Sequence, residues 1–237
     1  MVLYETRYKG VSHALGTSGF LYRSNKLMYD KETSSLWSTL HGEPVIGPLV
    51  GQGIALQRRS VVTTTWFQWQ KRHPETTVLS LDTGHRRDYD EGVAYQDYFS
   101  TDEVMFSVPK LDYRLPNKRE VVALRSGGPE TAVAVDTEYL KKNQIYPLKV
   151  GEDEVVIITT PRGESRVYEI EDQSFQSWDG WDNLTDKDGA KWILGEDGLK
   201  KEDSEEVLSR YPSHQSFWFG WQAQYPKSRL IYDKSQE

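Results

Sequence analysis

Two tryptophan-rich strings constrain what this chain can fold into. Trp66-Phe67-Gln68-Trp69-Gln70, followed by His73-Pro74, is echoed by Trp218-Phe219-Gly220-Trp221-Gln222, followed by Tyr225-Pro226. The offset is constant at 152 residues (218 against 66, 226 against 74). Tryptophan is rare, so the match in register points to an internal duplication. Two copies are too few for a repeat array. The upstream parts correspond loosely as well: Asp30-Lys31-Glu32-Thr33 leads to Trp37, and Asp186-Lys187-Asp188-Gly189 leads to Trp192.

Each copy can be read locally. The Asp-Lys segment is a turn, joining strands at 27–29 and 35–38 in the first copy. A short helix of about two turns is expected from Thr65 or Ser216, with a Ser or Thr cap and both tryptophans on one face. Pro74 or Pro226 ends it, because the residue before proline is pushed out of the α region. Val78-Leu79 and Leu230-Ile231 are expected to return the chain to a sheet. Between the copies, 131–135 alternates like a strand, and 154–160 with 165–170 reads as a hairpin around Pro161-Arg162-Gly163-Glu164. The stretch 196–209 is highly charged and reads as a loop or short surface helix.

Composition supports a sheet protein. With 14 Tyr and 8 Trp among 237 residues, much of the burial must be aromatic, which favours strands over helical bundles. The expected fold is α+β and β-dominated, a single domain over 1–237. It would comprise two related β-sheet units (about 1–110 and 150–237), a β-rich connection, and a short Trp-containing helix in each unit. A net charge of −7 and only short basic runs argue against nucleic acid as a partner. The chain has no cysteine, so disulfide and thiolate chemistry are excluded. No apolar run approaches the roughly 20 residues that span a bilayer. No signal peptide is visible, so the chain is expected to be either cytosolic or a mature or truncated piece of something longer.

The order of motifs resembles a bacterial and archaeal family catalogued as domain of unknown function 3179. The resemblance rests on Thr17-Ser18-Gly19-Phe20-Leu21-Tyr22-Arg23-Ser24-Asn25, Leu27-Met28-Tyr29-Asp30 and Ser35-Leu36-Trp37-Ser38. It continues through Gly47-Pro48-Leu49-Val50-Gly51, the first Trp string with His73-Pro74, Thr83-Gly84, Arg87-Asp88-Tyr89 and the closing Phe217–Trp221 string. It implies an extracytoplasmic (periplasmic or secreted) location and names no reaction. Family members often carry a cysteine-containing segment upstream of the strand matching Val2-Leu3-Tyr4, and this chain lacks it.

His73 is the first candidate for chemistry, as a general base or a metal ligand. The ordinary alternative is an aromatic that packs, since its counterpart is Tyr225. Met28 with His73 would be a soft ligand set suited to a transition metal such as copper; core filling is the plainer use of Met28. The five histidines form no local zinc pattern. Arg87, with Tyr89, Tyr95 and Tyr98, could hold a small ligand by a guanidinium fork and phenol hydroxyls, or could simply stack in a loop. Asn25, Tyr29 and Asp30, in the segment carrying the resemblance, complete the ligand-binding candidates. Asp82-Thr83-Gly84 has the aspartic-protease triplet, but those enzymes need two carboxylates, and the equivalent position in the second copy is Lys234. The acidic stretch 179–189 fails the spacing of a calcium loop.

Three functions fit these residues: an extracytoplasmic accessory protein binding a small molecule or metal near His73 and the 87–98 loop, an enzyme using His73, or a structural module.

Overall fold

The computed structural model describes residues 1–234. In the first half, β1 (Leu3–Glu5) is followed by a small hairpin of β2 (Arg7–Tyr8) and β3 (Val11–Ser12). Next, β4 (Leu15–Tyr22), β5 (Asn25–Asp30), β6 (Leu36–Ser38) and β7 (Glu43–Ile46) form an antiparallel meander. A two-residue turn joins β4 to β5, with Arg23 and Ser24 both at positive φ (50° and 60°), the backbone such hairpins require. β8 (Gln57–Arg59) then pairs with β1. Helices α1 (Trp66–Arg72) and α2 (Gln96–Phe99) follow, set in a long irregular stretch.

The second half is denser. β9 (Glu120–Leu124), β10 (Val133–Asp136) and helix α3 (Thr137–Lys142) come first. The three-stranded sheet of β11 (Ile145–Val150), β12 (Asp153–Thr159) and β13 (Ser165–Glu169) follows. A five-stranded meander comes next: β14 (Phe175–Trp178), β15 (Asn183–Asp186), β16 (Lys191–Leu194), β17 (Gly198–Lys201) and β18 (Val207–Ser209). β19 (Ser213–Phe217), α4 (Trp218–Gln224) and β20 (Arg229–Ile231) close the chain. The central sheet has the order β19-β9-β10-β20, with β20 parallel to β10.

Side-chain alternation explains how the layers meet. On β12, Val155 and Ile157 face the cluster shared with the central sheet, while Val156 and Ile158 face the cluster shared with the five-stranded meander. A continuous apolar run is what a strand buried on both faces needs. On the central sheet, Val122, Leu124, Val133 and Val135 face the three-stranded sheet. The opposite face carries Ala123 and Ala134, and these small residues leave room for Trp218 and Trp221 of α4. All three core clusters are built from Leu115 and residues after it.

The β-dominated α+β expectation therefore holds, and the hairpin and Leu230-Ile231 lie where the pattern put them. Three expectations are corrected. Val78 and Leu79 do not enter a sheet; they are irregular and highly exposed, and no strand among the described residues pairs with them. The 196–209 stretch is neither loop nor helix: it contributes β17 and β18, paired through Leu199↔Leu208, both buried. Its charges sit around those two inward leucines, which is too little apolar signal to read as strands. The cap of α4 also differs. Thr65 caps α1 as expected, its hydroxyl accepting from Gln68 N–H at 3.2 Å, but Ser216 does not cap α4. There the N–H groups of Trp218 and Phe219 donate to the carbonyls of Arg119 and Asn117.

Candidate functional site

The structure divides the expected ligand residues among several places. Tyr95 and Tyr98 come together in one aromatic pocket of about 330 Å³. Four chain segments build it. Leu21 comes from β4 and Ser24 from the tight β4–β5 turn; Tyr98 and Phe99 come from α2, with Tyr95 as its left-handed N-cap at φ 60°. Met105 and Phe106 come from the irregular stretch beyond α2, and Phe219 from α4. The Tyr98 and Phe99 rings meet edge to face at 5.3 Å and 79°, so they form a corner. Burial raises the Tyr98 phenol above its ordinary pKa. Phe106, Phe99, Met105 and Tyr95 remain largely exposed at the mouth. Met105 and Phe106 carried no motif, and Phe219 stood out only as part of the second Trp string; their convergence in space is what marks them.

Arg87 and Tyr89 do not line this pocket. Both are exposed, and the Tyr89 hydroxyl lies 2.8 Å from that of Thr83. Asn25 hydrogen-bonds to the Thr39 hydroxyl at a separate cavity of about 580 Å³. Tyr29 packs its ring over Gly16, where a Cβ would come within 2.6 Å of it. Asp30 is buried and structural. Its Oδ1 accepts from the N–H groups of Glu32 and Thr33, and its Oδ2 lies 2.7 Å from His13 Nδ1. Burial pushes this carboxyl up, but the His13 and backbone bonds outweigh it and hold it below its ordinary pKa. Asp186, in the other Asp-Lys turn, caps its own turn, accepting from Asp188 and Ala190 N–H, and takes the Trp192 indole N–H at 2.8 Å.

His73 occupies a second, polar cleft of about 260 Å³, lined also by Lys71, Arg72, Trp181, Asp182 and Glu196. Its ring lies 4.1 Å from that of Trp69. Its Nε2 is buried, at ion-pair distance (3.5 Å) from Glu196 Oε1 but without hydrogen-bond geometry. Glu196 also accepts from Arg166 Nη2 at 3.2 Å. Burial raises Glu196, yet Arg166 beside it wins and leaves the carboxyl below its ordinary pKa, hence ionised at neutral pH. Beneath the cleft, buried Glu164 is held by Arg166 and by the Thr64 hydroxyl at 2.6 Å, with Arg72 at 3.9 Å. Sequence reasoning found His73 but not Glu196 or Arg166; Glu196 comes from the β16–β17 turn of the five-stranded meander and Arg166 from β13 of the three-stranded sheet.

Met28 sits on β5 opposite Trp37 and is not among the residues lining the His73 cleft. Among the described residues, no three or more His, Asp or Glu side chains gather in a metal-holding group. The copper reading thus gains no geometric support. Also among the described residues, no helix is long and apolar enough to cross a membrane.

Comparison with known proteins agrees with the motif order. The model of the family described as protein of unknown function (DUF3179) matches residues 1–228, and the chain belongs to that family. No curated protein and no solved structure matches it.

Proposed function

We propose that this protein binds a small organic ligand in the aromatic pocket of Tyr95, Tyr98, Phe99 and Phe106. The observation that carries this reading is the convergence of aromatic side chains from α2, its flanks and α4, with Leu21 of β4, around one cavity of ligand size. Large exposed aromatics cost solubility unless they serve a contact. The neutral dye N-phenyl-1-naphthylamine tests it. Saturable, one-to-one fluorescence enhancement is expected, lost in Phe106→Ser and Tyr95→Ser. Enhancement indifferent to both substitutions, or none at all, contradicts the reading.

An enzymatic reading is favoured by one specific feature, the buried His73 Nε2 facing an ionised Glu196. Closing the 3.5 Å gap into an Nε2–H to Oε1 hydrogen bond would leave Nδ1 as the basic nitrogen. Two further parts of the proposal rest on likeness. The resemblance of the Asp turns, buried Trp37 and Trp192, and the two Trp helices supports descent of the halves (about 1–110 and 150–237) from one duplicated unit. Family membership supports a place outside the cytoplasm, which fractionation of the native host would check.

A further inference from the structure

We infer that the ligand of the aromatic pocket is an organic cation, an alkylated ammonium group carried on an apolar body. This rests on the pocket reading above and adds the charge. Aromatic faces attract cations through their quadrupole, and several faces around one cavity select an ammonium whose hydration is weak. The walls here suit that task. Tyr98 and Phe99 stand at 79° to each other, and Tyr95 and Phe106 supply two further rings. Met105 adds a polarizable thioether.

The chain segment that supplies most of the lining is acidic. The segment 88–106 supplies five of the lining residues; it contains Asp88, Asp90, Glu91, Asp97, Asp102 and Glu103 and no Lys or Arg. Asp102 is committed to the N–H groups of Asn117 and Lys118, but its charge still contributes to the field. The molecule itself shows that this wall takes an ammonium. Lys118 Nζ lies 3.9 Å from the Tyr98 ring centroid, while it donates to the carbonyls of Tyr98 and Thr101. Lys118 is not part of the pocket lining, so the cavity is left for a second cation. Arg23, next to Ser24, is turned away to the Ala223 carbonyl at 3.0 Å.

The test compares choline with 3,3-dimethylbutan-1-ol, which has nearly the same shape without the charge, by ligand-observed NMR titration of the full chain. Choline should bind roughly tenfold more tightly, the discrimination expected of a partly desolvated cation–π site. Tyr95→Leu and Phe106→Leu, at exposed positions, should remove that discrimination while leaving the alcohol's affinity within about twofold. Equal or weaker binding of choline, with N-phenyl-1-naphthylamine still bound, overturns the cation and leaves the pocket standing. Failure of all three probes to bind overturns the pocket itself.

Discussion

Helices α1 and α4 share their length, their Trp-aromatic-x-Trp-Gln start and their ending. His73 and Tyr225 have nearly the same backbone angles (φ −128°, ψ 70° and φ −126°, ψ 70°), and each donates its N–H to the second Trp carbonyl. Their surroundings are opposite. Trp218 and Trp221 are 0% and 1% exposed against the alanine face of the central sheet, whereas Trp66 and Trp69 are 47% and 38% exposed. The first helix is held by polar contacts: Arg72 stacks 4.1 Å over Trp181, pairs with Asp182, and lies above the buried Glu164–Arg166 pair. Similar local sequences have thus been anchored once by apolar burial and once by charge. The charge-anchored helix borders the polar His73 cleft, and the buried helix reaches the aromatic pocket through Phe219.

That contrast predicts unequal mutational costs. Trp221→Ala should destabilise the chain by about 3–5 kcal/mol in urea denaturation, because a large buried ring leaves a cavity. A cost below about 1 kcal/mol would break the comparison from the buried side. Glu164→Gln should cost about 3 kcal/mol, since it leaves buried Arg166 short of a charge partner. Adding Arg166→Met should restore part of that loss, and an additive cost would show that the pair is not the anchor.

A pH-dependent effect follows from two buried histidines near α4. Burial lowers the His214 pKa to about 3 and that of His41 to about 4, with nearby arginines adding to the effect. Both folded-state values lie below the ordinary 6.5, so the unfolded chain binds more protons in between. Stability is full above about pH 6.5 and falls as pH drops toward 4, by about 1.4 kcal/mol per pH unit for each histidine. His214→Gln should flatten that slope by roughly one proton's worth; an unchanged slope would mean the imidazole is not held neutral. Smallest of all, Trp66→Ala should shift stability by about 0.5 kcal/mol or less, as expected at a half-exposed site.

Local signals were legible where the physics is local. Thr65 beside Trp66 marks a capped helix, and 154–170 with Pro161-Arg162-Gly163 marks a hairpin, since cap and turn chemistry act within a few residues. The α4 cap was not legible, because its acceptors are Asn117 and Arg119, about a hundred residues away in sequence. Exposure was also hidden: Trp66–Trp69 and Trp218–Trp221 differ only in Gln68 against Gly220, and the alanine face that receives the latter lies on β9 and β10. The candidate site was legible in part. Tyr95 and Tyr98 are close in sequence and share a pocket, while Phe219 joins them only through α4 packing. Arg87, in the same stretch, stays apart because the irregular chain between them imposes no periodic face.

The contrast between the two helices is tested most directly by native-state hydrogen exchange resolved to the peptides covering Trp66–Arg72 and Trp218–Gln224. The α4 amides should exchange only through global unfolding, following the stability measured in urea, whereas the α1 amides should open locally at a lower free energy that falls further in Arg72→Ala. Equal protection of the two helices, or α1 protection unmoved by Arg72→Ala, would contradict it.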